Sequence, residues 1–228
     1  MTGGPDAGVD RTRNRNAANG ALLGDIAVDI AHELRGPVQS IVVNLEVARL
    51  KIRKALVEEA AERLGVIEQE VMRMHRVADA FVSLLRPDDA VHRPVSLESI
   101  LAGLDPLATV VARSARVHFE RPAFDSALLA RVRSAPATLG ILRLLVDAIA
   151  AAGPDGRVDV ATAATDGVAE LLIRIRGAKG HAIDAAALGP CLAVAANAWL
   201  EDTDGTAGVR AGSDAGDATV SIRFARPA

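Results

Sequence analysis

The sequence predicts an antiparallel two-helix hairpin that pairs with a second copy as a four-helix bundle, followed by a two-layer α/β sandwich. Residues 21–86 carry apolar side chains at spacings of three and four, which is the pattern of a helical bundle. From about residue 94 onward, predicted helices alternate with predicted antiparallel strand pairs. This alternation is typical of a two-layer sandwich.

The composition is typical of a folded protein. Of its 228 residues, 50% are apolar and only 2% aromatic, so Ala, Val, Leu and Ile must build the core. A net charge of -3 favours neither nucleic acid nor an anionic membrane as a partner. Cys191 is the only cysteine, and no apolar stretch is long enough to span a bilayer, so we predict a cytoplasmic location. Residues 1–19 are predicted to form a flexible tail.

The helical pattern of residues 20–88 divides into two halves, whose seam residues are Ile30, Leu34, Val38, Ile41, Leu45, Ala48 and Ile52, and then Ala60, Leu64, Ile67, Val71, Met74, Ala78, Phe81 and Leu85. Lys51–Glu59 lies between them and contains neither Gly nor Pro, so one continuous helix is compatible with the pattern. A hairpin is more compact and is favoured. Because two helices alone bury little surface, the hairpin predicts a homodimer.

The second unit, residues 94–228, is predicted from local signals. Ser96 can cap a helix that runs to about Ala112. Further helices are predicted over 134–153 and from Gly189 to Trp199, and strands over 116–121, 129–133, 157–163, 168–176, 206–211 and 217–224.

His32 is the main candidate for chemistry. It follows the seam residue Ile30 by two positions, about 200° round a helix, so its side chain is predicted to face solvent. A neutral imidazole nitrogen is nucleophilic near pH 7, and a carboxylate such as Glu33 can fix its tautomer. Arg35, one turn on, can pair with phosphoryl oxygens. Pro37 removes one backbone hydrogen bond and predicts a bend. Taken alone, however, an exposed helical histidine is usually a solvated surface residue.

The surrounding residues add a resemblance. Asp29-Ile30-Ala31-His32-Glu33-Leu34-Arg35-Gly36-Pro37 resembles the H-box of sensor histidine kinases, whose pattern is His-Glu-Leu-Arg-x-Pro. This implies that His32 is the phosphorylated residue and Glu33 its acid/base neighbour. Gly36 stands where the family often has a Thr or Asn linked to phosphatase activity, which puts that activity in doubt. A receiver partner is expected to dock on the outward stripe around His32, at Asp29, Gly36, Gln39 and Val43.

The second unit is similar to the ATP-binding domain of the same kinases but departs from it where nucleotide is held. The family's Asn-Leu-Leu-x-Asn-Ala is here Arg143-Leu144-Leu145-Val146-Asp147-Ala148, which keeps Asp147 as a possible Mg²⁺ ligand. Gly177-Ala178-Lys179-Gly180 lacks the adenine-binding carboxylate. In Gly189-Pro190-Cys191-Leu192, Cys191 replaces a glycine and Pro190 removes a backbone donor. Only eight residues separate Gly180 from Gly189, too few for a nucleotide lid.

Together these features predict a histidine phosphotransferase of a two-component phosphorelay. Dimeric proteins of this kind have a kinase-like hairpin and a degenerate ATP-binding-like domain, and they pass phosphoryl groups between receiver aspartates. No stably bound ATP or metal is expected, and Mg²⁺ would come with the receiver. Response-regulator receivers are the expected partners, with an upstream hybrid histidine kinase as a further candidate. Two alternatives stay open: a non-catalytic pseudokinase scaffold that binds a response regulator, and an atypical autophosphorylating kinase.

Overall fold

The computed structural model describes residues 6–85, 93–122, 128–165, 167–179, 181–183, 188, 206–211 and 217–226. Its helices are α1 (Asp6–Glu33), α2 (Arg35–Arg53), α3 (Val57–Leu84), α4 (Leu97–Ser114) and α5 (Ser134–Ala152). Its strands are β1 (Arg93–Ser96), β2 (His118–Glu120), β3 (Leu129–Val132), β4 (Arg157–Thr165), β5 (Val168–Arg176), β6 (Thr206–Ala211) and β7 (Asp217–Ala225).

The favoured hairpin is present: the last turns of α1 and the following α2 make its first arm and α3 makes its second, so the chain does not continue as one helix. The turn between them closes when the Leu56 N–H donates to the Lys51 carbonyl at 3.0 Å. Ala55 takes the left-handed conformation, with φ of 57°, and this reverses the chain. The reversal therefore uses an alanine rather than the Gly or Pro that usually signals a turn.

The first helix is interrupted at Leu34, directly after Glu33. Pro37 has no N–H to donate to the Glu33 carbonyl, so one helical hydrogen bond is lost there. Hydrogen bonds from Leu34 to the Ile30 carbonyl (2.9 Å) and from Val38 to the Leu34 carbonyl (3.1 Å) keep the chain on a nearly helical path. Pro37 thus removes one helical hydrogen bond as predicted, and the bend that it predicts stays a prediction.

The N-terminal segment differs from its prediction. Helix α1 begins at Asp6, so the backbone of residues 6–19 is helical where the composition predicted an irregular tail. This segment has no proline after Pro5. Because extending an existing helix costs far less than nucleating one, the buried turns that follow allow a polar segment to continue the helix.

The five-stranded sheet has the order β2-β4-β5-β7-β6, with β2 and β4 parallel and the other neighbours antiparallel. Helices α4 and α5 pack on each other and on the sheet, which confirms the predicted two-layer sandwich. Ser96 caps α4 as predicted, accepting from the Ser99 N–H at 3.4 Å. Strand β1 was not predicted; it pairs with β3 outside the main sheet, where Pro94 is tolerated.

One continuous core joins the hairpin to the sandwich. Leu22, Ile26 and Ile30 of α1 pack in the same cluster as Val77 and Leu84 of α3 and the buried faces of α4 and α5. Each fully buried aliphatic side chain contributes about 1.5–3 kcal/mol. This packing brings the C-terminal end of α4 against the helix that carries His32.

Among the described residues, one helix has the length and hydropathy to cross a membrane, namely α5, with a mean hydropathy of 1.6. Half of that segment is buried in the fold, as expected for the central helix of a sandwich. The predicted helix from Gly189 to Trp199 lies outside the described residues. Leu188, directly before it, is described and is buried.

Candidate functional site

His32 lies in the last turn of α1 with its side chain exposed, as its position relative to the seam predicted. Ile30, two residues earlier, is 9% exposed and points into the core. Gly36, Gln39 and Val43 continue the exposed stripe onto α2. A Cβ added at Gly36 would meet nothing within 4 Å, so the helix leaves open space one turn beyond the imidazole.

A shallow depression of about 320 Å³ lies along the side of the helix that carries Arg35. Its lining residues are Ala31, Leu34, Arg35, Val38 and Gln39. Arg35 is exposed and follows His32 by three positions, which places the two side chains on neighbouring turns. The predicted pairing of Arg35 with a phosphoryl group on His32 is compatible with this arrangement.

The Glu33 side chain binds residues of two other helices. Its Oε1 accepts hydrogen bonds from Arg73 of α3 and, at 3.2 Å, from Arg113 of α4. Within the described part of the chain no hydrogen bond joins Glu33 to His32, and consecutive helical side chains do not face each other. In this structure Glu33 therefore does not fix the imidazole tautomer, contrary to the prediction from its place in the sequence.

Two further residues extend this cluster of charges. Nη1 of Arg73 lies 3.7 Å from Oε2 of Glu70, and that buried oxygen makes no hydrogen bond. We call Glu70, Arg73, Glu33 and Arg113 the Glu33 network. It joins α3, α1 and α4 and contains two negative and two positive side chains. Because Arg73 and Arg113 lie 40 and 80 positions from Glu33, no local sequence pattern could have revealed the pairings.

Asp29 also contacts α4. Its Oδ1 accepts a 3.0 Å hydrogen bond from the Ser114 hydroxyl. Asp29 and Glu33 are four residues apart and lie in one row along α1, so the end of α4 rests on that row. The predicted docking stripe is corrected accordingly: His32, Gly36, Gln39 and Val43 are open, whereas Asp29 is a contact between the hairpin and the sandwich.

The described residues at the predicted nucleotide positions contact other residues of the chain. Nε of Arg143 donates to Oδ2 of Asp147 at 2.9 Å, so an arginine already neutralises the predicted metal ligand. The loop after β5 folds back, and the main-chain oxygen of His181 occupies the space that a side chain at Gly177 would need. The His181 ring lies within 3.2 Å of the Ala151 carbonyl at the end of α5.

Other predicted nucleotide positions, namely Gly180, Gly189 and Cys191, lie outside the described residues. Across the part of the chain that is described, no three His, Cys, Asp or Glu side chains form a group suited to a metal ion.

No family model matches this chain, and no curated protein matches it. Solved structures do. The nucleotide-free catalytic domain of the histidine kinase ThkA aligns with a TM-score of 0.51 at 11% identity, covering 59% of this chain and 97% of that one. A histidine kinase from Burkholderia phymatum aligns with a TM-score of 0.51 at 12% identity, covering 90% of this chain and 98% of that one.

The chain has a histidine kinase-like fold. The resemblance that was read from the H-box and the order of elements is thereby confirmed at the level of the fold. In this histidine kinase-like chain, His32 lies on the exposed face of the hairpin, whereas the Arg143–Asp147 pair lies on the central helix of the sandwich.

Proposed function

We propose that this chain is a histidine phosphotransferase of a two-component phosphorelay, located in the cytoplasm, which passes a phosphoryl group between receiver aspartates through His32. The observation that carries the proposal is an exposed H-box histidine in a chain whose Arg143–Asp147 pair neutralises the metal position of α5. An exposed histidine, in a chain whose predicted metal ligand Asp147 is paired with Arg143, is suited to loading from a phosphorylated protein.

The reaction is an in-line displacement. A neutral imidazole nitrogen of His32 attacks the phosphorus of an aspartyl phosphate, a P–N bond forms, and the acyl P–O bond breaks with its electron pair left on the carboxylate. The reverse step loads the next receiver. Mg²⁺ in the receiver's acidic pocket would neutralise charge, and Arg35 would bind phosphoryl oxygens from the turn after the histidine.

The receiver is proposed to dock on the open part of the stripe. Gly36 and Gln39 leave a low surface beside His32, and Val43 offers an apolar contact that is 51% exposed. Because the hairpin supplies both the nucleophile and the contacts around it, docking and chemistry use the same helix face. Asp29 would contribute only if its contact with Ser114 opened.

The burial of the seam supports a homodimer. Seam residues such as Ile41, Ala48, Ala60 and Ile67 are buried or partly buried inside the hairpin. The remaining large ones recur at multiples of seven and stay 38–60% exposed; they are Val38, Leu45, Ile52, Leu64, Val71 and Leu85. One hairpin thus covers half of its own seam, and a second copy would cover the other half as a four-helix bundle.

The test is transfer from a receiver domain that has been phosphorylated with acetyl phosphate. We expect acid-labile label to move to the purified chain and to be lost in His32→Ala. The matched control is His75→Ala, which removes an exposed histidine on α3 whose Nε2 lies 3.1 Å from Asp79. The control should retain the label. Label that persists in His32→Ala would refute the assignment.

The engagement of Glu33 favours the pseudokinase scaffold as a second candidate, because an H-box glutamate held by Arg73 and Arg113 is less available for acid/base work. A scaffold would bind the receiver equally well in the wild type and in His32→Ala, and would form no phosphohistidine. Labelling of His32 by ATP alone would instead favour the autokinase.

A further inference from the structure

The end of α4 places an arginine, Arg113, against α1 at Glu33, the residue next to His32 in the chain. Asp29 and Glu33 contact Ser114 and Arg113 respectively, so this row of α1 faces the end of α4. In a helix, His32 lies about 60° round from Asp29 and about 100° from Glu33. Side chains three positions apart have Cβ atoms roughly 5–6 Å apart. The Arg113 guanidinium therefore lies on the side of α1 next to the face that carries His32.

Arg113 is the member of the Glu33 network that can leave it most easily. Its side chain is 51% exposed, whereas those of Arg73 and Glu33 are 29% and 22% exposed. If Arg113 swung away, Glu33 would keep its hydrogen bond from Arg73, so no buried carboxylate would lose all its cationic partners. Exposed ion pairs are also weak, so the exchange of one partner for another costs little.

A phosphoryl group on His32 is a stronger partner for this guanidinium than Glu33 is. It carries more negative charge than a carboxylate, and its oxygens match the forked geometry of arginine. We infer that Arg113 of the sandwich binds the phosphoryl group carried by His32, exchanging its bond to Glu33 for bonds to phosphoryl oxygens. The inference rests on the proposed phosphotransfer function. In this proposal the sandwich acts by binding the phosphoryl group, which requires no nucleotide.

Arg35 would hold the same group from the opposite side. It lies about 60° round the helix from His32, away from Asp29. The phosphohistidine would thus lie between an arginine of the hairpin and an arginine of the sandwich. In this arrangement Glu33 holds Arg113 in place while the histidine is unmodified.

The test uses potassium phosphoramidate, which phosphorylates histidine without any receiver. The donor's P–N bond breaks as the P–N bond to the imidazole forms, ammonia leaves with the electron pair, and the proton on the other ring nitrogen passes to solvent. Phosphohistidine on the full chain is followed by ³¹P NMR, which reports the amount formed, its rate of hydrolysis and the pKa of the phosphoryl group. His32→Ala establishes which signal belongs to His32.

In Arg113→Gln we expect the phosphoryl pKa to rise, because a nearby guanidinium favours the dianion, and we expect the rate of formation to fall roughly tenfold, the effect of one charge-assisted hydrogen bond. Arg113→Lys should recover part of both. Glu33→Gln should speed formation, since Arg113 then has no competing carboxylate. A slower reaction in Glu33→Gln would show that Glu33 acts as a base and would overturn the exchange.

Two control variants separate binding of the phosphoryl group from other effects. Ser114→Ala removes the hydrogen bond to Asp29 but leaves the charge of Arg113, so it should leave the phosphoryl pKa unchanged. Arg49→Gln removes an exposed positive charge 17 residues along from His32, about 25 Å away at helical rise. If Arg113→Gln matches Arg49→Gln, the inference fails while the proposed function stands. If no signal is lost in His32→Ala, both fail.

Discussion

Nε of Arg143 lies 2.9 Å from Oδ2 of Asp147, one turn further along the same helix. The two side chains form an ion pair within α5, and the Asp147 side chain is only 14% exposed. An approaching Mg²⁺ would meet a carboxylate whose charge is already compensated, together with the positive charge of the guanidinium.

We therefore expect no saturable Mg–ATP binding up to about 1 mM, which corresponds to a binding free energy weaker than about 4 kcal/mol. Arg143→Ala should not restore binding, because the loop containing His181 still covers Gly177. Isothermal titration calorimetry tests this, with a nucleotide-binding histidine kinase domain as the positive control. Saturable binding by the wild type would contradict this account of the sandwich.

A second prediction concerns the proposed homodimer. Val71→Asp places a charge on the exposed half of the seam, at a position that is 48% exposed in the single chain. Because two copies lose an apolar contact each, we expect the dimer dissociation constant to rise roughly a hundredfold or more, as measured by sedimentation. Val28→Asp is the control. Val28 is 70% exposed and lies on the face of α1 opposite the buried seam residue Ile30. Equal weakening by both variants would place the interface elsewhere.

A third prediction concerns Arg121, which ties the segment after β2 to α4. Its guanidinium donates two 2.8 Å hydrogen bonds to Glu98 and one of 3.3 Å to Asp105, with 16% of the side chain exposed. We expect Arg121→Ala to lower the free energy of unfolding by about 1–3 kcal/mol in urea denaturation. Arg176→Ala is the control, because its contact with Asp217 is 4.0 Å long and exposed, and it should cost under about 0.5 kcal/mol.

The pH dependence of the Arg121 contribution has a definite sign. Burial lowers the pKa of Arg121. The hydrogen bond and charge of Glu98, followed by those of Asp105, together raise this pKa by more than burial lowers it, so the net shift is upward. A cation whose pKa is raised on folding stabilises the protein at every pH below its unfolded pKa, and loses that contribution as pH rises through the folded value. The difference between wild type and Arg121→Ala should therefore not diminish from neutral pH to moderately alkaline pH.

A fourth prediction concerns Gly156, at the turn between α5 and β4. A Cβ there would overlap the carbonyl of Ala152 and lie 2.9 Å from that of Arg176, so the backbone itself would have to move. Gly156→Ala should lower the free energy of unfolding by at least about 2 kcal/mol. Gly103→Ala, in an open position of α4, should instead raise it by up to about 1 kcal/mol. A neutral Gly156→Ala would show that this turn adapts more readily than its geometry implies.

Much of the fold was accessible from local patterns. Strand β5 begins and ends where its alternation and flanking turn predicted, and α5 ends at Ala152, one residue before the predicted Gly153, which adopts a positive φ of 66°. Strand β1 was missed, because Pro94 argues against a strand until its pairing with β3 is known. The helical start at Asp6 was also missed, since composition records polarity but not the continuity of a helix with its buried turns.

The site divides in the same way. The exposure of His32 follows from its angle to the seam, and the interruption at Leu34 follows from Pro37, because both depend on residues within one or two turns. The partners of Glu33 and Asp29 could not be predicted in this way, because Arg73, Arg113 and Ser114 lie on other helices, 40 to 85 positions away in the chain.

The sequence by itself thus determined that His32 faces solvent within its H-box-like segment and which residue types occupy the predicted nucleotide positions of the sandwich, because helix periodicity and residue chemistry are local. Only the tertiary structure decided what surrounds them: Arg143 closing on Asp147, His181 folding over Gly177, and Arg113 reaching Glu33 beside the histidine. The contact between Arg113 and Glu33 depends on the apolar core that the hairpin and the sandwich share. Burial of that core brings the two charged side chains together, and no local sequence pattern specifies the pair.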